Sequence, residues 1–130
     1  FSLECDDMLI YYNTVKNKLR STKINWKQDK CMTIVLCAKG YPGKYKKNKV
    51  IKNIYTTNLS KKDFIYHSGT KLLNEKLLSN GGRVLSITSL GTNFKSIRRR
   101  IIKIINKINW KFGFYRKDIG WKVLNNNENN

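Results

Sequence analysis

The apolar residues of this chain keep a helical period in places and a strand period in others. Cys5, Met8, Leu9, Tyr12, Val15 and Leu19 recur at three- and four-residue steps, which predicts a helix over Cys5–Leu19. Asp6 and Asp7 fall in its first turn, where a carboxylate suits the positive end of the helix dipole. A stronger stripe joins Phe94, Ile97, Ile101, Ile104, Ile105 and Ile108, with Arg98, Arg99, Arg100, Lys103 and Lys107 on the remaining faces. Thr92 or Asn93 is placed to cap that second helix.

Between the helices the pattern shortens. Cys31–Ala38 is apolar on both faces apart from Thr33, as in a buried strand. Phe64–His67 and Leu72–Leu73 read as short strands, with Asn74-Glu75 a turn and Lys76–Ser79 the returning strand. Asn80-Gly81-Gly82 then bends into Arg83–Leu90, where Val84 and Ile87 straddle Ser86. Trp26–Asp29 leads into the first strand, Lys39–Lys49 is a loop around Pro42, and Trp110–Tyr115 is a final strand or extended segment. Asn125–Asn130 is a polar tail with little to fold it. With no internal repeat and no linker, the pattern predicts one small α+β domain with a leading helix.

The length of 130 residues agrees with one domain and one ordinary core. A net charge of +19 with abundant aromatics first suggests a nucleic-acid binder. The charge is not gathered into a tail or a single stripe, however. Lys, Asn and Ile are all enriched beside a single alanine, Ala38, and all three have codons rich in A and T. Genomic drift explains these enrichments together, whereas nucleic-acid affinity explains only the lysine, so no specific nucleic-acid partner is expected. Cys5, Cys31 and Cys37 lack the paired spacing of a zinc site and read as reduced thiols, in keeping with a cytoplasmic protein. No apolar run approaches the roughly 20 residues of a membrane span. The chain starts at Phe1 without a charged-then-apolar leader, which reads as a fragment lacking a signal peptide.

The glycine motifs change the picture most. Lys39-Gly40-Tyr41-Pro42-Gly43-Lys44-Tyr45 is followed by His67-Ser68-Gly69-Thr70, then Asn80-Gly81-Gly82-Arg83-Val84-Leu85, Thr88, Gly91, and Arg116-Lys117-Asp118-Ile119-Gly120. In this order, from about Leu3 to Leu124, the chain resembles the C-terminal domain of the phosphoribosylamine–glycine ligases, or GAR synthetases. These are ATP-grasp enzymes of purine synthesis. The resemblance implies a small barrel-like antiparallel sheet packed on one amphipathic helix. Residues 1–30 would be the C-terminal end of an ATP-grasp region, 31–124 the C-terminal domain, and 125–130 a disordered tail. The family joins glycine to 5-phosphoribosylamine, through an acyl phosphate made from glycine and ATP. ATP and its Mg or Mn ion are bound mainly by segments this chain lacks, including a glycine-rich loop and an acidic stretch ending near Gly-Asp-Pro-Glu. No catalytic or metal-binding residue is therefore expected here. The partners implied are the two small substrates and the ATP-grasp region of the same polypeptide, with no membrane.

Arg83 is the first candidate for a ribose-phosphate contact, because a guanidinium forks onto a phosphate. Gly81 and Gly82 could add backbone N–H groups, or the pair could simply make a hairpin turn beside a solvated arginine. His67 could be a general acid or base or a structural residue at a strand end; Thr70 and Lys71 would line the same cleft. Lys39, Gly40, Tyr41, Pro42 and Gly43 form a rigid bracing loop, and Asp118, with Arg116 and Gly120, reads as structural support. The chain departs from the family where Asn48 and Lys49 replace a usual glycine and acidic residue, Ser68 replaces alanine, and Lys117 replaces arginine. Lys122 and Val123 replace an arginine–alanine pair. Ile97 and Ile101 replace small alanines, which must shift the helix or be met by small neighbours. Two other readings remain: a basic nucleic-acid-binding module, and a related ATP-grasp carboxylate–amine ligase.

Overall fold

Helix α2 (Phe94–Ile108) is the piece around which the rest is organised in the computed structural model, which describes residues 7–125. Its stripe is buried as the spacing predicts: Ile97, Ile101 and Ile108 are fully enclosed, and Ile104 and Ile105 nearly so. Burying an isoleucine contributes about 1.5–3 kcal/mol, so this face alone anchors the helix. Asn93 is the cap, its side chain accepting a hydrogen bond from the Ser96 N–H at 3.2 Å. Asn109 ends the helix in the left-handed conformation.

The helix lies on an antiparallel sheet of order β2-β5-β1-β6, made of β1 (Lys30–Ala38), β2 (Asp63–His67), β5 (Arg83–Gly91) and β6 (Gly113–Phe114). Ile34 and Leu36 of β1 and Leu85 and Ile87 of β5 meet the isoleucines of α2 in one core. The bulky Ile97 is met by a small neighbour: its side chain passes 3.2 Å from where a β-carbon of Gly91 would stand. A separate ribbon, β3 (Thr70–Leu73) with β4 (Lys76–Ser79), turns through Asn74 and Glu75, both at positive φ. Residues 48–51 run beside β4, with Asn48 and Ile51 N–H groups bonded to the carbonyls of Ser79 and Leu77.

The two ribbons are one long hairpin interrupted by a bulge. Between the His67–Leu85 and Thr70–Ser79 pairs, one strand supplies only Ser68 and Gly69, the other Asn80 to Val84. The mismatch is absorbed where Gly69 and Gly81 cross: a β-carbon on Gly69 would lie 2.5 Å from the Arg83 oxygen and 2.7 Å from the Gly81 Cα. Asn80-Gly81-Gly82 is thus a kink, while Asn74-Glu75 makes the hairpin turn.

An ion-pair clamp missing from the sequence reading ties α2 to the sheet. Asp63 Oδ1 accepts from Ser89 Oγ at 2.6 Å and Arg100 Nε at 3.0 Å, while Oδ2 accepts from Ser60 Oγ at 2.6 Å. Arg100 also donates to the Leu90 carbonyl. Burial pushes the Asp63 carboxyl up, but the hydrogen bonds from Ser60, Ser89 and Arg100 outweigh it and hold the group below its usual range.

The ends differ from the reading of the sequence. The leading helix, α1, covers Asp7–Val15 rather than reaching Leu19. Asn17 adopts φ 55°, and the Lys18 N–H bonds back to the Asn13 carbonyl, a left-handed stop that terminates the helix. A short 3₁₀ turn, Leu19–Ser21, follows. Cys5 and Asp6 lie outside the described residues, as does the tail beyond Asn125. Of Trp110–Tyr115, only Gly113–Phe114 pairs as strand, against Cys37 and Ala38. A short helix, α3 (Trp121–Asn125), was not anticipated.

Candidate functional site

The sheet face turned away from α2 is open, and its concavity centres on the end of β5. Alternation puts Ser86 and Thr88 on this face, and strict alternation would carry Val84 there and Arg83 into the core. The register shift between Leu36 and Cys37 prevents this. Val84 and Leu85 are both buried, and Arg83 emerges exposed opposite Cys37. Burial raises the Cys37 thiol pKa, and the nearby Arg83 charge pulls the other way.

Arg83 lines a cleft of about 560 Å³ with Val35, Tyr41, Ser68, Gly69, Gly82 and Ser86. Gly82 is essential to its shape. A β-carbon there would fall 1.9 Å from a ring carbon of Tyr41, so the tyrosine occupies the space a side chain would take. The loop carrying Tyr41-Pro42-Gly43 is drawn in by the Ala38 N–H to Gly82 carbonyl hydrogen bond, 2.8 Å. Tyr41 in turn meets Tyr45 edge-on, with ring centres 5.9 Å apart. A second hollow of about 490 Å³ shares Ser86 and continues past Thr33, Thr88, Phe64 and Tyr66.

Arg83 differs from the arginines that the fold consumes. Arg100 is spent on Asp63, Arg98 on the Lys117 carbonyl, and Arg116 on Asp118 through bonds of 3.2 and 2.6 Å. No carboxylate among the described residues pairs with Arg83. Asp118 is held below the usual carboxylate range, mainly by the hydrogen bond from Arg116.

The sequence-predicted residues separate accordingly. Arg83, Gly82 and Tyr41 meet in the cleft, with Ser68 and Gly69 from the neighbouring motif. Gly81 supports it from behind, its N–H already donated to the Gly69 carbonyl at 3.1 Å. His67 does not line the cleft. It pairs with the buried Leu85, so it stands on the helix side of the sheet, and its Nδ1 lies 3.0 Å from Thr70 Oγ1. Lys71 is on β3 opposite Leu78, also outside the cleft lining. Lys39 belongs to another concavity, with Lys44 and Tyr45. Gly40 and Gly120 adopt positive φ at turns, and Pro42 and Gly43 are exposed beside Tyr41. Ser86, Val35 and Ser68 were missed as cleft residues; the period of two along β1, β2 and β5 was the signal that could have found them.

Fold and cleft together define a small α+β domain whose sheet has one face under a helix and the other open beside an arginine that no carboxylate among the described residues pairs. Residues 31–122 match the family model described as "Phosphoribosylglycinamide synthetase, C domain", and the chain belongs to that family. It is 38% identical over 122 residues to the phosphoribosylamine–glycine ligase of Agrobacterium fabrum, covering 94% of this chain and 28% of that protein. It is 35% identical over 124 residues to the chloroplastic phosphoribosylamine–glycine ligase of Arabidopsis thaliana, covering 94% and 23%. The crystal structure of phosphoribosylamine–glycine ligase from Thermotoga maritima superposes with a TM-score of 0.62 at 28% identity, covering 83% of this chain and 27% of that one. The chain thus spans only about a quarter of the length of these relatives.

Proposed function

We propose that this chain is the C-terminal part of a phosphoribosylamine–glycine ligase, acting in purine synthesis in the cytoplasm, and that its cleft binds the ribose phosphate of 5-phosphoribosylamine. The observation that carries the site is Arg83: exposed, without a carboxylate partner among the described residues, and set in a cleft walled by the Tyr41 ring that packs on Gly82. A guanidinium recognises phosphate with two parallel hydrogen bonds, and the Gly82 N–H is the group of the glycine pair left to assist.

The proposed reaction joins the carboxylate of glycine to the amine of phosphoribosylamine, with ATP converted to ADP and phosphate. The residues here do not fit the ATP and metal sites of that chemistry. Asp29 is paired with Lys62, Asp63 with Arg100 and Asp118 with Arg116, and the described residues hold no convergent group of three metal donors. Nucleotide and Mg or Mn belong to the ATP-grasp region of the longer polypeptide, into which residues 1–30 would lead, with 31–124 forming the C-terminal domain. This domain supplies binding and orientation: Arg83 holds the phosphate, while Tyr41 and the Gly69–Gly82 backbone shape the wall around it. His67, Thr70 and Lys71 lie adjacent rather than in contact.

The test is Arg83→Ala in the ligase that contains this chain. Loss of a hydrogen-bonded charge partner costs about 1.5–3 kcal/mol, so the KM for phosphoribosylamine rises roughly 10- to 150-fold. The KM for glycine stays put, and Arg83→Lys recovers part of the loss. An unchanged phosphoribosylamine KM with intact folding refutes the phosphate contact.

A further inference from the structure

Part of the positive charge that looks diffuse in the sequence is gathered in space. Lys39, just past the end of β1, and Lys44, Lys46 and Lys49, from the loop that follows, surround an open hollow of about 400 Å³ floored by Tyr45 and Phe112. Distinct elements hold it in shape. The Lys39 N–H bonds to the Phe112 carbonyl at 2.9 Å, and Lys49 is pinned by exchange with Ser79 and by its Nζ, 5.0 Å above the Phe112 ring. Phe112 is 48% exposed, so part of its ring stays open beside the Lys49 ammonium. No carboxylate among the described residues pairs with any of the four lysines.

We propose that this hollow is a sequence-independent binding site for single-stranded nucleic acid, with the lysines on successive phosphates and a base stacked on Phe112 and Tyr45. Convergent ammonium groups focus attraction for a polyanion, and an exposed ring beside them gives a base a stacking platform. The hollow is open rather than enclosed, as a strand passing through requires. Lysines recognise phosphate as point charges and carry no base-edge information, so tolerance of sequence follows. The site stands apart from the Arg83 cleft: Tyr41 lines one and Tyr45 the other, with their edge contact as the wall between. It does not depend on the ligase reading.

The experiment titrates the full polypeptide that contains this chain against a fluorescent single-stranded RNA of mixed sequence over a range of salt. Each phosphate neutralised on a single strand contributes about 0.7 to the slope of log K against log salt, so Lys44→Gln with Lys46→Gln should lower the slope by about 1.4. We expect affinity to fall tenfold or more at physiological salt, against less than about twofold for the charge-matched control Arg99→Gln with Lys103→Gln on α2. Phe112→Leu should weaken binding about fivefold or more without changing the slope. Equal losses in both double variants would overturn the proposal in favour of diffuse charge. Phe112→Leu binding like the parent would remove the stacked base. Tripolyphosphate or a mononucleotide binding as tightly as the strand would make this a small-anion site instead.

Discussion

Removing Asp63 should loosen the attachment of α2 to the sheet in a way that acid abolishes. Its carboxylate is nearly buried and accepts hydrogen bonds from Ser60, Ser89 and Arg100. Stripping one member from a buried ion pair costs about 3–5 kcal/mol, because the other charge is stranded. Arg100 is 36% exposed and keeps the Leu90 carbonyl, so water screens part of that stranded charge. The expectation for Asp63→Ala at pH 7 is therefore about 2–4 kcal/mol, and for the neutral isostere Asp63→Asn about 1–2 kcal/mol. Urea unfolding followed by circular dichroism measures both. The folded pKa of Asp63 is depressed, so its contribution is complete above the unfolded value near 4 and disappears as pH falls through the lower folded value. Wild-type and Asp63→Asn curves should converge in strong acid. A cost below 1 kcal/mol at pH 7, or a difference that persists unchanged into acid, would refute the clamp.

Gly82→Ala should cost about 1–3 kcal/mol, because its methyl group needs the space of the Tyr41 ring; most of that cost should vanish when Tyr41→Ala is made as well. Equal costs in the two backgrounds, read from urea melts, would mean that the ring does not depend on the glycine. His67→Ala in the full ligase should leave kcat far from the roughly 100-fold or greater loss that removal of a general acid or base causes, since the ring stands on the helix side of the sheet. A loss of that size across the pH profile would place His67 in the chemistry after all.

Local pattern made much of this fold legible, and long-range pairing decided the rest. The isoleucine stripe of α2 is self-announcing, and the β3–β4 turn was readable because Asn74 tolerates a left-handed backbone and is flanked by apolar pairs. The end of α1 was not, because the apolar period continues to Leu19 through the Asn17 stop. Arg83 was singled out from the motif, but its emergence into a cleft depends on the β1–β5 register shift, which one strand's pattern does not contain. The same pairing brings Tyr41 onto Gly82, two residues far apart in sequence. His67, counted by twos from the inward-facing Ile65, falls on the face away from the cleft. Asp63 and Arg100 are separated by 37 positions, and nothing local marks either as the other's partner. The lysine hollow was invisible for a related reason: composition counts charges, whereas folding decides which converge.

The central claim is that this chain completes a phosphoribosylamine–glycine ligase. The most direct measurement is ADP release by the source polypeptide that carries the sequence Tyr115-Arg116-Lys117-Asp118-Ile119-Gly120, with glycine and phosphoribosylamine supplied together and singly. The account predicts a polypeptide several-fold heavier than 15.3 kDa whose ADP release requires both substrates and drops at low phosphoribosylamine when Arg83 is replaced. A polypeptide of only 15.3 kDa, or ADP release indifferent to either substrate, would contradict it.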